Sequence, residues 1–256
     1  MLSKAKIKWI HSLEQKKFRL ESGLFLAEGD KLVADLLPCL PCRFLAATDE
    51  WLDAHGQLLQ RCRPAETQQA ARDEIQRASL LQNPQHVLAA FEMPRAEVSA
   101  EVLNHSLSLA LDNVQDPGNL GTIVRMADWF GIGQVLCSKG TADIFAPKAV
   151  QASMGALARV KVLYTDLEPL LASLKVPVFG TFLEGEDIYR ADLPSNGIIL
   201  MGNEGKGVSP ALAALVSRKL FIPNYPVGRA CCESLNVSAA TAVVCSEFRR
   251  RSLQGL

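Results

Sequence analysis

Three short stretches carry the side chains best suited to chemistry, and each follows an apolar run. In NVQDPGNLGTIVRMADWFGI (113–132), Asn119 and Arg125 stand among apolar and small residues. Pro117 and Gly118 read as a turn. A helix is predicted from about Leu120, with Ile123, Ala127 and Phe130 on its buried stripe. Arg125 lies off that stripe, near the side of Gly121 and Asp128. There it is either a solvated charge paired with Asp128, worth little, or a fork of donors for an anion. In GNEGKGVS (202–209), a Gly-rich loop between strand and helix invites a phosphate. Its spacing fits neither GxxxxGK[ST] nor GxGxxG, and Glu204 would repel an anion. The loop suits a cationic or hydroxyl-bearing ligand, or is an ordinary turn. In ESLNVSAATAVVC (233–245), Ser234 is the predicted N-cap. Asn236 would follow in the first turn, where free N–H groups favour negative charge. From Leu235 to Val244 the helix is apolar or small almost all round, which predicts a buried helix.

Short continuous apolar runs must position these loops: SLALD (108–112), GQVLC (133–137), VPVFGTF (176–182), GIILM (197–201) and KLFI (219–222). Such runs, separated by helical stretches, predict a mostly parallel sheet buried on both faces. Ligands of such sheets bind at the carboxyl ends of the strands, which is where the three loops lie. The first part of the chain has a different texture. Residues 4–20 read as one basic amphipathic helix with Ile7, Ile10 (or Trp9) and Leu13 on a side. GLFLAEG (23–29) reads as a strand, followed by a helix through Leu37; CRFLAA (42–47) and HVLAAFE (86–92) read as further strands. A boundary is expected at about residues 92–105, giving domains 1–97 and 104–256, both α/β.

Hydrophobic residues form 48% of the 256 and charged residues 21%, which excludes a disordered or low-complexity chain. Lys+Arg and Asp+Glu are both 27, so no general cationic coat exists and any nucleic-acid contact must be a local patch. Candidates are Lys4, Lys6, Lys8, Lys16, Lys17 and Arg19 against Glu14 alone, with Arg249, Arg250 and Arg251 at the other end. The patch either contacts phosphates or is a solvated face. No apolar run is long enough to span a membrane, and the N-terminus lacks the apolar core of a signal peptide; a cytoplasmic protein is expected. Cys39 and Cys42 form one CxxC, and Cys231 and Cys232 are adjacent. With no second pair or histidine at ligand spacing, no metal site is expected, and the cysteines read as free thiols.

The segments NVQDPGNLGTIVRMADWFGI, IILMGNEGKGVS and IPN…ESLNVSAATAVVCSEF, in this order over residues 112–248, resemble the three motifs of the SpoU-type (TrmH-like) RNA 2′-O-ribose methyltransferases. KAVQASMGAL (148–157) is also similar to the family, and KFRLESGLFLAEGDKLVADLL (17–37) resembles the small ribosomal-protein-like substrate-binding domain of many members. The resemblance implies a C-terminal α/β knot (SPOUT) domain with a mostly parallel sheet. It implies a homodimer with each site completed across the interface, and S-adenosyl-L-methionine as methyl donor, held bent in the knot. It assigns Asn119 and Arg125 to motif one, Glu204 to motif two, and Ser234 and Asn236 to motif three, with Arg125 the favoured catalytic residue. Cofactor contacts would come from Gly202, Asn203, Ile222 and Leu235, with Thr181 near the adenosine. One departure is a longer loop, NYPVGRACC (224–232), before the third motif.

Such a reaction is an in-line displacement at a sulfonium methyl, and the 2′-hydroxyl is a poor nucleophile until its proton is leaving. A guanidinium gives up a proton poorly. Arg125 is therefore expected to bind the target phosphate and stabilise the developing alkoxide, and Glu204 and Asn236 to hold loops and cofactor. Ribosomal RNA is the expected substrate, from the likeness of the N-terminal domain to rRNA-modifying members; tRNA stays open. Two other readings compete. A knotted protein could bind RNA or S-adenosylmethionine without turnover, against which stand the intact Asn119, Arg125, Glu204 and Asn236. A knotted methyltransferase could act on a base nitrogen, against which stands SLNVS.

Overall fold

A computed structural model of the chain describes residues 1–226, 229 and 232–254. Cys231 of the predicted Cys231–Cys232 pair, and part of the long loop before the third motif, lie outside the described residues. The chain forms two compact units: Met1–Arg95 with Asp143–Arg159, and Ala96–Ala142 with the residues from Val160 onward.

The first unit is built on strands β1 (Leu24–Glu28), β2 (Cys42–Ala47), β3 (Thr67–Gln69) and β4 (Val87–Glu92), in the order β1-β4-β2-β3. β4 is antiparallel to both neighbours, and β3 runs parallel to β2. Alternation puts Leu26, Phe44, Ala46, Leu88 and Ala90 into one core with Ile10, Leu13, Ile75 and Ala78. Beside Phe25 lie Phe91 and Phe145, with ring centroids 5.9 and 5.2 Å away. Phe145 belongs to Asp143–Arg159, which the chain order places after the second unit's first strands. Its place in the first unit is held by Gln151 Nε2 donating to the Glu28 carbonyl at 2.6 Å and by Arg19 Nη2 on Asp143 at 2.7 Å.

The predicted single helix over 4–20 is two helices, Lys4–Ser12 and Lys16–Ser22. Arg19 Nη1 donates to the carbonyls of Leu13 and Glu14, so the intervening turn is satisfied by a side chain rather than by continued helix. Arg19 is thereby buried and leaves the candidate phosphate patch. Removing one partner of such a buried pair costs about 3–5 kcal/mol. Lys6 is also engaged, pairing with Glu66 at 2.8 Å and lying 4.2 Å from the Phe44 ring centre. The polar strand β3, TQQ, carries no apolar alternation and was not predicted.

The second unit has strands β5 (Leu107–Leu111), β6 (Gln134–Cys137), β7 (Lys161–Tyr164), β8 (Val178–Asp187), β9 (Gly197–Met201) and β10 (Arg218–Phe221). Their order is β10-β8-β9-β5-β6-β7 and every neighbouring pair is parallel, as the apolar runs predict. Leu103, Leu167, Leu171 and Leu212 join Ala110, Leu136, Ile198 and Leu200 in one core. The C-terminal helix Val237–Gln254 packs on the helix Pro117–Trp129 and sets the Phe248 ring edge-on to Phe179 at 5.1 Å. The chain leaves β5 toward β6 and β7, then fills the other side with β8, β9 and β10. The topological switch point therefore lies between β5 and β9.

Four expectations change here. The first motif's helix starts at Pro117, not near Leu120: Asp116 caps it by accepting from Asn119 N–H at 2.8 Å, and proline fits the first helical position. The last helix is capped by Asn236, not Ser234, because Asn236 Oδ1 accepts from Ser238 N–H at 2.9 Å. That helix is buried on one stripe only, Val237, Thr241, Val244, Cys245 and Phe248, leaving Ala242 and Val243 half-buried. Finally, the three tail arginines are bound internally. Arg249 donates to the carbonyls of Phe130 and Gly131, and Arg250 and Arg251 both grip Glu247.

Candidate active site

Glu204 stands at the switch point, on the loop after β9. Its Oε1 accepts from Asn119 Nδ2 at 3.1 Å and from Asp116 N–H at 3.3 Å; its Oε2 accepts from Gln115 N–H at 3.2 Å. Partial burial pushes the carboxyl up, but the bonds from Asn119, its own N–H, Gln115 and Asp116 outweigh that and hold it below the usual carboxylate range. Asn119 is tied on its other side: its Oδ1 accepts from Asn236 Nδ2 at 3.1 Å. One chain of hydrogen bonds, Asn236–Asn119–Glu204, thus joins all three motifs. The acid is used as an acceptor for donors of the chain itself, which explains how a Gly-rich loop tolerates it.

The loop that carries Glu204 is shaped from within. Asn203 exchanges both backbone hydrogen bonds with Gly207 at 2.9 Å, while its Oδ1 accepts from Gly205 and Lys206 N–H. A Cβ on Gly202 would lie 2.3 Å from the Gly207 carbonyl carbon, so only glycine admits this closure. Asn203 Nδ2 reaches across to the Asn113 carbonyl at 2.7 Å.

Asn113 and Asp112 are the functional residues that the sequence reading missed. Asn113 adopts φ 56°, the left-handed region, and its N–H donates to Ser138 Oγ at 2.9 Å. Asp112 is buried; it accepts from Asn113 Nδ2 and from Ser209 N–H, both at 2.7 Å. The pair therefore clamps both ends of the GNEGKGVS loop to the end of β5. The available signal was an Asp-Asn pair directly after a buried strand, a combination suited to αL turns.

The remaining predicted residues form a rim. Thr181 lies within β8, directly after Gly180, the last β8 residue paired with β9; Gly202 and Ile222 follow β9 and β10, and Leu235 precedes the last helix. Thr181 Oγ1 lies 3.4 Å from the Leu200 carbonyl and 3.6 Å from Met201 Sδ, joining two of these strand ends. After Gly180 the ladder breaks: Lys219 pairs with Gly180, but the next residue, Leu220, pairs with Glu186. Residues 181–185 therefore bulge out of the sheet beside the rim. A Cβ on Gly185 would lie 2.5 Å from the Lys219 carbonyl oxygen, which marks how tightly the bulge closes. Leu235 offers an exposed apolar side chain and Ile222 a half-buried one. Backbone groups at strand ends, one hydroxyl and two aliphatic side chains suit an uncharged, flat ligand portion such as a nucleoside.

Arg125 is not brought to this network. It lies six residues beyond Asn119, about 9 Å along the helix and well round it, on the face that also exposes Trp129. Among the described residues its guanidinium makes no hydrogen bond and no ion pair, with Asp128 or any other group. Ser234 is exposed and likewise not joined to Asn119 or Glu204.

Comparison with known proteins now decides the family. Residues 106–246 match the model of the SpoU rRNA methylase family, and residues 4–89 match that of an MRM3-like substrate binding domain. The chain belongs to the SpoU rRNA methylase family. Over 250 residues it is 31% identical to the 23S rRNA (guanosine(2553)-2′-O)-methyltransferase RlmP of Bacillus subtilis, covering 95% of this chain and 96% of that one. A TrmH-family protein from Porphyromonas gingivalis superposes with a TM-score of 0.87 at 42% identity, covering 98% of this chain and 99% of the other. An AdoMet-bound rRNA methyltransferase from Sinorhizobium meliloti does so with a TM-score of 0.84 at 30% identity, covering 98% and 97%. Within a SpoU methylase fold, the Asn119–Glu204–Asn236 chain and the rim beside it form one surface, and Arg125 forms a second.

No described cluster of three or more His, Cys, Asp or Glu is placed to hold a metal ion, and no described helix is long and apolar enough to cross a membrane.

Proposed function

We propose that this protein transfers the methyl group of S-adenosyl-L-methionine to a ribose 2′-hydroxyl of ribosomal RNA. The observation that carries the reading is the hydrogen-bonded joining of three motif loops at the switch point, beside a rim suited to a nucleoside. The AdoMet-bound relative and the rRNA 2′-O-methyltransferase from Bacillus subtilis support the donor and the substrate class.

The bound donor supplies an electrophilic methyl on sulfur. Thr181, Gly202, Asn203, Ile222 and Leu235 hold it at the strand ends. Glu204, Asn119 and Asn236 keep the loops around it in one geometry, and Ser234 adds a hydroxyl at the same entrance. Arg125 binds the phosphate next to the target ribose and stabilises negative charge on the 2′-oxygen as its proton departs to water. Its fork of donors acts as charge, not as base.

Arg125 reaches such a ribose from a second copy of the chain. The uncommitted guanidinium, the exposed Trp129 on its face and the half-buried Ala242 and Val243 of the last helix favour a homodimer. In this reading residues 1–97 bind RNA and residues 104–256 carry the transfer, in the cytoplasm.

The test is incubation with methyl-labelled donor and total RNA from cells lacking the protein, then separation of ribosomal from transfer RNA and digestion of each to nucleosides. Label on a 2′-O-methylnucleoside is the expected result. Label on a base, label only on tRNA, or none at all overturns the reading in favour of base methylation, a tRNA substrate or binding without turnover.

A further inference from the structure

The CLPC motif at Cys39–Cys42 has no part in the site above. It forms one wall of a cleft of about 610 Å³ in the first unit, whose other wall is the end of the helix Gly56–Cys62 and the residues after it. We infer that this cleft binds the phosphodiester backbone of single-stranded RNA. The inference rests on the RNA-substrate reading and adds a second place of contact to it.

The lining explains the choice of ligand. Arg43, Arg61 and Arg63 supply all of its charge, and no carboxylate lines it. Arg43 is occupied by Glu92 at 2.5 Å. Arg61 has no hydrogen-bond or ion-pair partner among the described residues, and Arg63 makes only one long bond, from Nε to the Gln60 carbonyl at 3.4 Å. Arg63 ends the helix at φ 47°, which turns the chain so that both arginines border the same opening. Two exposed, uncommitted guanidiniums over a floor of Pro38, Leu40 and Pro41 suit a nucleotide strand: forks for phosphates, apolar surface for bases and sugars.

The thiols do not offer a better account. Cys39, Cys42 and Cys62 line the cleft, yet no described metal-binding cluster exists. Burial pushes the Cys42 thiol up to about 12, so it keeps its proton and is no nucleophile at neutral pH. Cys39 is exposed and serves instead as a built-in reporter of occupancy.

The experiment measures binding of a fluorescent 12-nucleotide oligouridylate by anisotropy across a potassium chloride series. The proteins compared are the full chain, Arg61→Ala/Arg63→Ala and Arg61→Lys/Arg63→Lys. At about 0.7 counterions per neutralised phosphate, the alanine pair should flatten the log–log salt slope by about 1.4 and weaken binding about tenfold at low salt. The lysine pair should recover the slope. Oligouridylate should also slow maleimide labelling of Cys39 at least threefold, read by peptide mass spectrometry. An unchanged slope in the alanine pair, or no protection of Cys39, overturns the inference. Both arginines are exposed, so matching melting curves separate lost contact from lost fold. Labelled methyl transfer by the unaltered chain tests the wider reading independently: failure there leaves the oligonucleotide result standing, and the reverse also holds.

Discussion

The first turn of the helix Pro117–Trp129 is committed, whereas its later turns are not. At the start, Asp116, Asn119 and their N–H groups are bound to one another and to Glu204 and Asn236, so three loops share one geometry. Farther along, Arg125 and Trp129 face outward, and among the described residues the guanidinium has no hydrogen-bond or ion-pair partner. One element thus presents a finished surface and an unfinished one. The difference teaches that the hydrogen bonds of one chain fix the loops at the start of this helix and leave the Arg125 charge outside them.

The sharpest way to break this comparison is Arg125→Ala. We expect methyl transfer to fall about 10²–10³-fold, with melting temperature and affinity for adenosylhomocysteine unchanged. If two copies share the site as proposed, mixing Arg125→Ala with Asn236→Ala protomers should restore about a quarter of the activity, because half of the pairs then carry one intact site. A loss under tenfold, or no recovery on mixing, contradicts the division between the two surfaces.

Glu204→Ala should do the opposite. It strips acceptors from Asn119, Gln115 and Asp116, costing about 1 kcal/mol of stability, and weakens cofactor affinity severalfold as the loop loosens. The pH dependence has a definite sign. The folded carboxyl sits below its ordinary value, so the stabilisation is present above that ordinary range and is lost as pH falls through the folded value. Unfolding curves of the native chain and Glu204→Ala should differ at pH 7 and converge in acid. Equal curves at pH 7 would show that the acid binds nothing of consequence.

The smallest effect concerns Asn113. Glycine accepts φ 56° freely, whereas alanine does not, so Asn113→Ala should be less stable than Asn113→Gly by about 1 kcal/mol. Both lose the bond to Asp112, and both should raise the KM for the donor more than they lower kcat. Equal melting temperatures for the two variants would mean that the turn relaxes.

Several elements were legible because one local pattern specifies them. CRFLAA and GIILM are strands with the predicted limits, since apolar runs bounded by breakers have few alternatives. The short strand TQQ was illegible because its pairing with β2, not its composition, makes it a strand. KVLY at Lys161–Tyr164 is an edge strand with a half-exposed pattern and was missed for the same reason. Pro117 was read as a turn breaker, but a proline serves equally well at the start of a helix, and the Asp116 cap decides between them. Glu204 and Asn236 stood out one loop at a time, and only the motif resemblance grouped them with Asn119; their mutual bonds span 85 and 117 residues of chain, and no spacing rule reaches that far.

Taken by itself, the amino-acid order determined the buried apolar strands, the parallel sheet and the loops where chemistry is concentrated, because each follows from nearest-neighbour preference and from burial of continuous apolar runs. Tertiary structure alone decided that Arg19 and Arg249 are not free. Both looked as available as Arg125, yet each is bound within the fold. A charge's partner is set by what folding brings beside it, and for Arg19 that partner is Asp143, 124 residues away.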